Sequence, residues 1–359
     1  MAVPQRIVSL LPSSTEILCA LGLETSLIGI SHTCDYPPAV TFLPRLTTPS
    51  SSKPGERHAP DREAAVVQAW LSVYQLDLDL LRTLQPDLIV TQDRAAVCGI
   101  AYAEILEATR HVLGRHVEVL SLHPTLLQDI WDDMHRVGEA TQQQRQAATL
   151  LEELFARVNT VVAESIMLRE PPRVALLVWS DPVMLAGYWC PDLIQLAGGT
   201  DGLCRPGAPA PLVEWGRLQA YAPEILLLSP CGSSLAQTCA ALPALQSLPG
   251  WDDLPAVRQG YVYAIDGQAY FHRPGPRIVD SLETLAGLLH PDLFGNSYRR
   301  KESYTAMSLL ERTSCARVVA WVLPTLLCSA HAWGAIIAFR VRADCSAYCG
   351  GKAWKQKTS

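Results

Sequence analysis

The amino-acid sequence predicts an α/β protein built as two similar lobes, and three observations carry that prediction. The first is a repeat. Leu81-Arg-Thr-Leu-Gln-Pro86-Asp87-Leu-Ile-Val-Thr-Gln92 returns 137 residues later as Leu218-Gln-Ala-Tyr-Ala-Pro223-Glu224-Ile-Leu-Leu-Leu-Ser229. Each copy ends a helix, stops it at a proline, and passes through an acidic residue into an apolar strand. The second is another pair in the same order: Arg6-Ile-Val-Ser-Leu-Leu before Ile17-Leu-Cys-Ala-Leu-Gly22, and Arg173-Val-Ala-Leu-Leu-Val before Leu193-Ile-Gln-Leu-Ala-Gly198. The third is a run from 142 to about 168 without Pro or Gly, in which Ala148, Leu151, Phe155, Val158 and Val162 fall on one helix face. Such a helix is roughly 40 Å long at about 1.5 Å per residue.

The elements follow in order. Strands are expected at 6–11, 26–32, 86–92 and 117–122, alternating with helical pattern, which implies parallel strands covered by helices on both faces. Residues 47–62 read as a polar, proline-rich surface loop. The long helix stops at Pro171-Pro172, and strands at 173–179, 224–230 and 261–266 build the second lobe. The expected division is an N-terminal lobe at 1–124, a helical region at 125–170 containing the spine helix, a C-terminal lobe at 171–296, and a basic extension at 297–359.

Charge is unevenly spread. The net charge of −6 divides into −13 over residues 1–296 and +7 over residues 297–359. A body this acidic argues against a nucleic-acid partner, because phosphate contacts need Lys and Arg. The opening Met-Ala-Val-Pro-Gln-Arg6-Ile carries no basic leader or apolar core, and the eleven cysteines form no compact framework and no CxxC pair. Both features predict a cytoplasmic protein with free thiols. Val318 to Phe339 is a stretch without Asp, Glu, Lys or Arg, long enough for a membrane span, so membrane association through 318–339 is the alternative.

Ligands of open α/β sheets bind beyond the C-terminal ends of the strands. Those ends carry Ser13 and Ser14 in a helix cap suited to an anion, then His32-Thr-Cys34-Asp35-Tyr36-Pro37, then Thr91-Gln92-Asp93 with Cys98 close by. In the second lobe they carry Trp179-Ser-Asp181-Pro182, Gly187-Tyr188-Trp189, Ser229-Pro-Cys231-Gly232, and Asp266 to Arg277. Aromatic side chains in such turns offer large, rigid surface to a flat ligand.

Arg6-Ile-Val-Ser-Leu-Leu-Pro-Ser-Ser-Thr-Glu16, Gly29-Ile-Ser-His-Thr-Cys-Asp35-Tyr36-Pro37 and Leu84-Gln-Pro-Asp87-Leu-Ile-Val resemble the vitamin B12-binding proteins of ABC importers. The wider group is the solute-binding proteins for iron–siderophores, haem and B12, with two Rossmann-like lobes joined by one long helix (the class III periplasmic-binding-protein fold). The resemblance covers about 6–292, and is closest to a leaderless branch sharing the Cys-Asp-Tyr-Pro, Pro-Cys-Gly and Tyr-Phe-x-Arg-Pro-Gly-Pro-Arg motifs. It implies a non-enzymatic monomer that binds a corrinoid or related metal chelate between the lobes, needs no other cofactor, and serves an ABC permease. Tyr36, Tyr74, Trp179, Trp189, Tyr270 and Phe271 are the implied ring contacts, and Ser13, Ser14, Asp35, Gln92, Arg273 and Arg277 the polar ones. A tryptophan of the family's pocket wall is Ala210 here. Asp79 matches the first of two acidic permease-docking positions; Gly216 stands at the second, with Glu214 two residues earlier as its substitute.

The alternative is a zinc or iron enzyme or carrier built from Cys34, Cys98, Cys231 and His272, soft ligands at strand ends. Asp133-Met-His135-Arg-Val-Gly138 spells a corrinoid-ligating D-x-H-x-x-G motif, but Leu126, Leu127, Ile130, Met134 and Val137 make the segment an amphipathic helix. No G-x-x-x-x-G-K-[ST] phosphate loop and no G-x-S-x-G elbow occurs.

Overall fold

The computed structural model describes residues 4–49, 74–92, 105–107, 109, 113, 117–298 and 307–308. Of the extension at 297–359 only 297–298 and 307–308 are described; its 318–339 stretch and most of the 47–62 loop lie outside the described residues. Among the described residues, no helix is long and apolar enough to cross a membrane.

The first lobe is built on a sheet of β1 (Ile7–Ser9), β2 (Leu27–Ile30), β5 (Leu88–Gln92) and β6 (Glu118–Leu122), in the order β2-β1-β5-β6. All its pairings are parallel, with Ile7 beside Leu88 and Leu88 beside Glu118. A small antiparallel pair, β3 (Thr47–Pro49) and β4 (Tyr74–Leu76), stands apart from it. The second sheet contains β7 (Val174–Ser180), β8 (Val183–Leu185), β9 (Ile225–Leu228), β10 (Val262–Ala264) and β11 (Met307–Ser308), ordered β11-β10-β9-β7-β8. Its inner strands β7, β9 and β10 are parallel, whereas β8 and β11 add antiparallel edges.

The repeat in the sequence is a repeat in three dimensions. Helix α2 (Leu78–Leu84) ends at Gln85, held at φ 44°, before Pro86; in the second lobe the helix Trp215–Tyr221 ends at Ala222, at φ 52°, before Pro223. A left-handed residue closes each helix, and the proline prevents its continuation. The acidic residue that follows then accepts from a strand amide. Arg6 N donates to Asp87 Oδ1 at 3.0 Å, and Arg173 N donates to Glu224 Oε2 at 2.9 Å. The arginine side chains return to the helix end: Arg6 Nη2 reaches the Leu84 carbonyl at 2.6 Å, and Arg173 Nε the Ala222 carbonyl at 3.0 Å. The same word therefore performs the same task twice, satisfying orphan carbonyls while setting the strand register.

Between the lobes, α3 (Leu127–Ala140) leads into α4 (Gln144–Ser165), an unbroken helix of 22 residues and about 33 Å. Trp131 of α3 meets Phe155 of α4 edge-on, with ring centroids 5.4 Å apart. Helices α5 (Cys190–Leu196) and α9 (Ile278–Leu289) pack against α4 from the second lobe. The remaining second-lobe helices are α6 (Trp215–Tyr221), α7 (Leu235–Gln246) and α8 (Pro255–Gln259), and α10 (Pro291–Tyr298) follows α9. One apolar core runs from Ile17 and Leu18 through Ile130, Met134 and Leu151 to Leu193, Val279 and Leu282. The crevice lined by Leu127, Trp131, Val158, Leu193 and Leu282 has no space for a water molecule. The spine is also held by charge. Arg157 donates to both Glu283 oxygens, at 2.9 and 2.7 Å, and pairs with Asp280.

The D-x-H-x-x-G residues lie within α3, as their periodicity requires. Asp133 is 4% exposed and accepts from Arg136 Nη1 at 2.7 Å, while Arg136 Nη2 donates to the Ser121 carbonyl on β6. Its other oxygen, Oδ2, has no hydrogen-bond partner among the described residues. Burial raises its pKa from 3.8 to about 6, against the opposing pull of Arg136 and, more weakly, His123. The folded state therefore holds this proton more tightly than the unfolded chain, and stability falls as pH rises from the ordinary carboxylate range through about 6. Asp133→Asn is expected to remove that part of the slope, a difference on the order of 2 kcal/mol at neutral pH. Urea unfolding of both proteins between pH 4 and 7 checks it; parallel profiles would refute it.

Candidate ligand-binding cleft

Helix α1 (Pro12–Ala20) follows β1 directly and is buried on all sides from Ser13 to Cys19. A helix so enclosed should carry no charge, yet Glu16 sits in its middle at 4% exposure. Its partners come from the other lobe. Arg277 Nε and Nη2 donate to its two oxygens at 3.0 and 2.6 Å, and Arg273 Nη1 donates to Oε1 at 3.2 Å. Arg273 turns its remaining edge to Asp35, in the loop after β2, with bonds of 2.5 and 3.0 Å. The Arg277 guanidinium lies 4.1 Å from the centroid of the Tyr36 ring, a cation–π distance. Burial alone would lower the pKa of each arginine; the carboxylates outweigh it and leave both raised. The strand-end loops of the two lobes thus face one another across a single seam.

Two glycines make that approach feasible. A Cβ on Gly275 would lie 3.2 Å from the Ser13 carbonyl oxygen of the opposite lobe. A Cβ on Gly267 would overlap the Pro230 carbonyl oxygen at 1.8 Å, so only glycine lets the loop after β10 pack beneath the end of β9.

Several residues expected as ligand contacts have other roles. Ser13 and Ser14 are buried; Ser14 Oγ lies 2.7 Å from Ser9 Oγ and donates to the Leu11 carbonyl, so the expected anion cap is closed. Tyr270 and Phe271 belong to the apolar core, at 5% and 1% exposure, with the Phe271 amide donating to Ser281. Asp35, Arg273 and Arg277 are engaged with each other and with Glu16. Tyr36 is 43% exposed. Trp179 and Trp189 are partly exposed at their strand and loop ends, anchored by Nε1 to the Asp181 and Phe271 carbonyls at 2.9 and 2.8 Å. Tyr188 stacks on Trp189 with centroids 6.0 Å apart. Gln92 is partly exposed at the end of β5. Of Tyr74 only the backbone, in β4, is described.

The soft-ligand set does not assemble. Cys34 is fully buried, accepts from Thr15 Oγ1 at 3.1 Å, and is pushed up to about 11 by burial, so it stays a thiol. His272 is pushed down to about 4 by burial, and its Nε2 meets the Ser229 carbonyl at 2.6 Å, which fixes the proton on that nitrogen. Cys231 is partly exposed, and Cys98 lies outside the described residues. Among the described residues, no three His, Cys, Asp or Glu side chains converge to hold a metal ion. Glu16, the centre of the seam, was legible in the sequence only as part of a helix start. The usable signal was a lone carboxylate in a helix without any other charged residue, directly before the apolar run Ile17-Leu-Cys-Ala.

Two parallel-sheet lobes joined through a spine helix, with their strand-end loops face to face, define a bilobal solute-binding protein. Residues 7–269 match the family model described as periplasmic binding protein, and the chain belongs to that family. A Bacillus subtilis relative, the uncharacterised ABC transporter substrate-binding lipoprotein YvrC, is 22% identical over 81% of this chain and 82% of its own length. The vitamin B12-binding protein of Vibrio parahaemolyticus is 23% identical over 77% of this chain and 86% of its own. A periplasmic haem-binding protein from Pseudomonas aeruginosa has the same fold, with a TM-score of 0.61 at 21% identity, covering 81% of this chain and 94% of that one. The expected cytoplasmic location is thereby corrected: the family and these relatives are periplasmic or lipid-anchored, outside the cytoplasm. The expectation rested on the opening residues and cysteine usage, whereas the family match spans residues 7–269.

The seam generates a stability prediction. Removing one partner of a buried ion pair strands the other's charge, at a cost of about 3–5 kcal/mol. Glu16→Ala is expected to lose that much in urea unfolding, because two arginines at 10% and 18% side-chain exposure would be left sharing Asp35. A loss under about 1 kcal/mol would mean that the pairs contribute no more than surface ones.

Proposed function

We propose that the protein binds a corrinoid or related flat metal chelate between its lobes and acts as the monomeric substrate-binding component of an ABC-type importer. The reading assigns it no catalytic step. The observation that carries it is the seam itself: loops from the C-terminal ends of both sheets meet there, the location at which open α/β sheets take ligands. Tyr36, Trp179 and Trp189 keep part of their rings accessible at those ends, and Tyr188 extends the Trp189 surface. Vitamin B12 in one relative and haem in a protein of the same fold are both large metal-bearing macrocycles.

Asp79 and Glu214 suit the permease contact. Asp79 lies in the first turn of α2, with its side chain 92% exposed, and Glu214 is the exposed residue just before α6, the equivalent helix of the second lobe. One acidic side chain on each lobe would meet cationic side chains of a membrane partner, steering and orienting the encounter.

Titration with cyanocobalamin, haemin and a ferric siderophore, followed by tryptophan fluorescence, tests the reading. Saturable quenching is expected with one of them, and a ligand at 100 times its Kd should add about 2.7 kcal/mol of stability. Trp189→Ala is expected to weaken that ligand about tenfold, the loss of one stacked ring. No saturable change with any of the three would refute the proposal.

A further inference from the structure

The charge network across the seam has a fixed half and a labile half. Glu16 is the fixed half: its side chain is 2% exposed and receives three hydrogen bonds from Arg273 and Arg277. Asp35 is the labile half. It lies in the loop between β2 and the Pro38–Phe42 turn, its side chain is 52% exposed, and its interaction is the paired contact to Arg273. Breaking a half-exposed pair costs far less than opening a buried one.

The geometry of that contact is the relevant clue. A guanidinium edge donating two parallel bonds to an oxyanion is the arrangement in which arginine also holds a ligand's carboxylate or phosphate. Beside it, the Arg277 guanidinium covers one face of Tyr36. The cationic edge and the ring face that a ligand would meet at the seam are each occupied by a partner from the opposite lobe. We propose that Asp35 is an internal competitor of the ligand: it pairs with Arg273 and yields that edge to a carboxylate or phosphate group carried by the ligand. This rests on the cleft-binding reading and adds a charge class to it.

Charge balance supports the assignment. Two arginines and two carboxylates make the network neutral. Exchanging Asp35 for a ligand anion preserves that neutrality at Arg273. A ligand that displaced Asp35 without bringing an anionic group would leave two largely buried guanidinium groups sharing Glu16 alone. Competition also has a kinetic and thermodynamic signature, because apparent affinity is reduced by the fraction of protein in which Arg273 is free.

Removing the competitor should therefore tighten binding, the opposite of what loss of a ligand contact would do. Asp35→Ala and the isosteric Asp35→Asn leave Arg273 held by Glu16 and are expected to stay folded. The probes are haemin, with two carboxylates; cyanocobalamin, with a phosphodiester; and dicyanocobinamide, the corrin ring without that phosphate. For whichever anion-bearing probe the wild type or a variant binds, both variants should bind about three- to tenfold more tightly than wild type, and salt should weaken their binding more steeply. Binding by the wild type that is unchanged or weaker in both variants overturns the competitor role and leaves cleft binding intact. Equal tightening of cobinamide and cobalamin overturns the anion exchange. No binding of any probe by any of the three proteins overturns the cleft reading, and the competitor with it.

Discussion

The arrangement of this molecule depends on one buried carboxylate. Glu16 stands in the middle of a helix buried from Ser13 to Cys19, and charge in that position is tolerable only with hydrogen-bonded countercharge. Among its described residues the first lobe supplies none. The second supplies two guanidinium groups from a single turn, Arg273 and Arg277. The lobes are therefore joined by solvation demand as well as by chain connectivity, and the side on which they meet is the side where both sheets present their strand ends.

On the far side of the same junction the solution is different. There α4 is held to α9 by a continuous apolar core and by Arg157 between Asp280 and the buried Glu283. Apolar packing is non-directional and yields to small shifts, whereas the arginine pairs fix orientation. Within the seam Asp35 is the most exposed of the charged side chains.

This changes how the candidate contacts divide. Residues that looked like a uniform lining fall into three layers: a packed layer with Tyr270, Phe271, Ser13 and Ser14; a charged layer with Glu16, Asp35, Arg273 and Arg277; and accessible rings at Tyr36, Trp179 and Trp189. The packed layer sets the shape of the loops, the charged layer sets how the lobes meet, and the three rings stay partly exposed. Cys34 and His272 belong with the packed layer, which is why neither is free to act as a soft metal ligand.

Much of the fold was legible from local physics. A proline after an apolar run, an acidic residue at a strand start and a period of three to four residues place β1, β5, β7, β9 and α4 within a few residues of where they lie, because each signal acts within one or two turns of chain. Side-chain roles at the seam were not legible in that way. Arg273 and Asp35 are 238 residues apart and Arg277 and Glu16 are 261 apart, so nothing local announces that they pair. Sequence alone determined the two lobes, the spine and the strand-end turns that meet between the lobes. The three-dimensional packing decided which of those turn residues are consumed in joining the lobes, since the partner of a buried charge is settled by what the fold brings within about 3 Å of it.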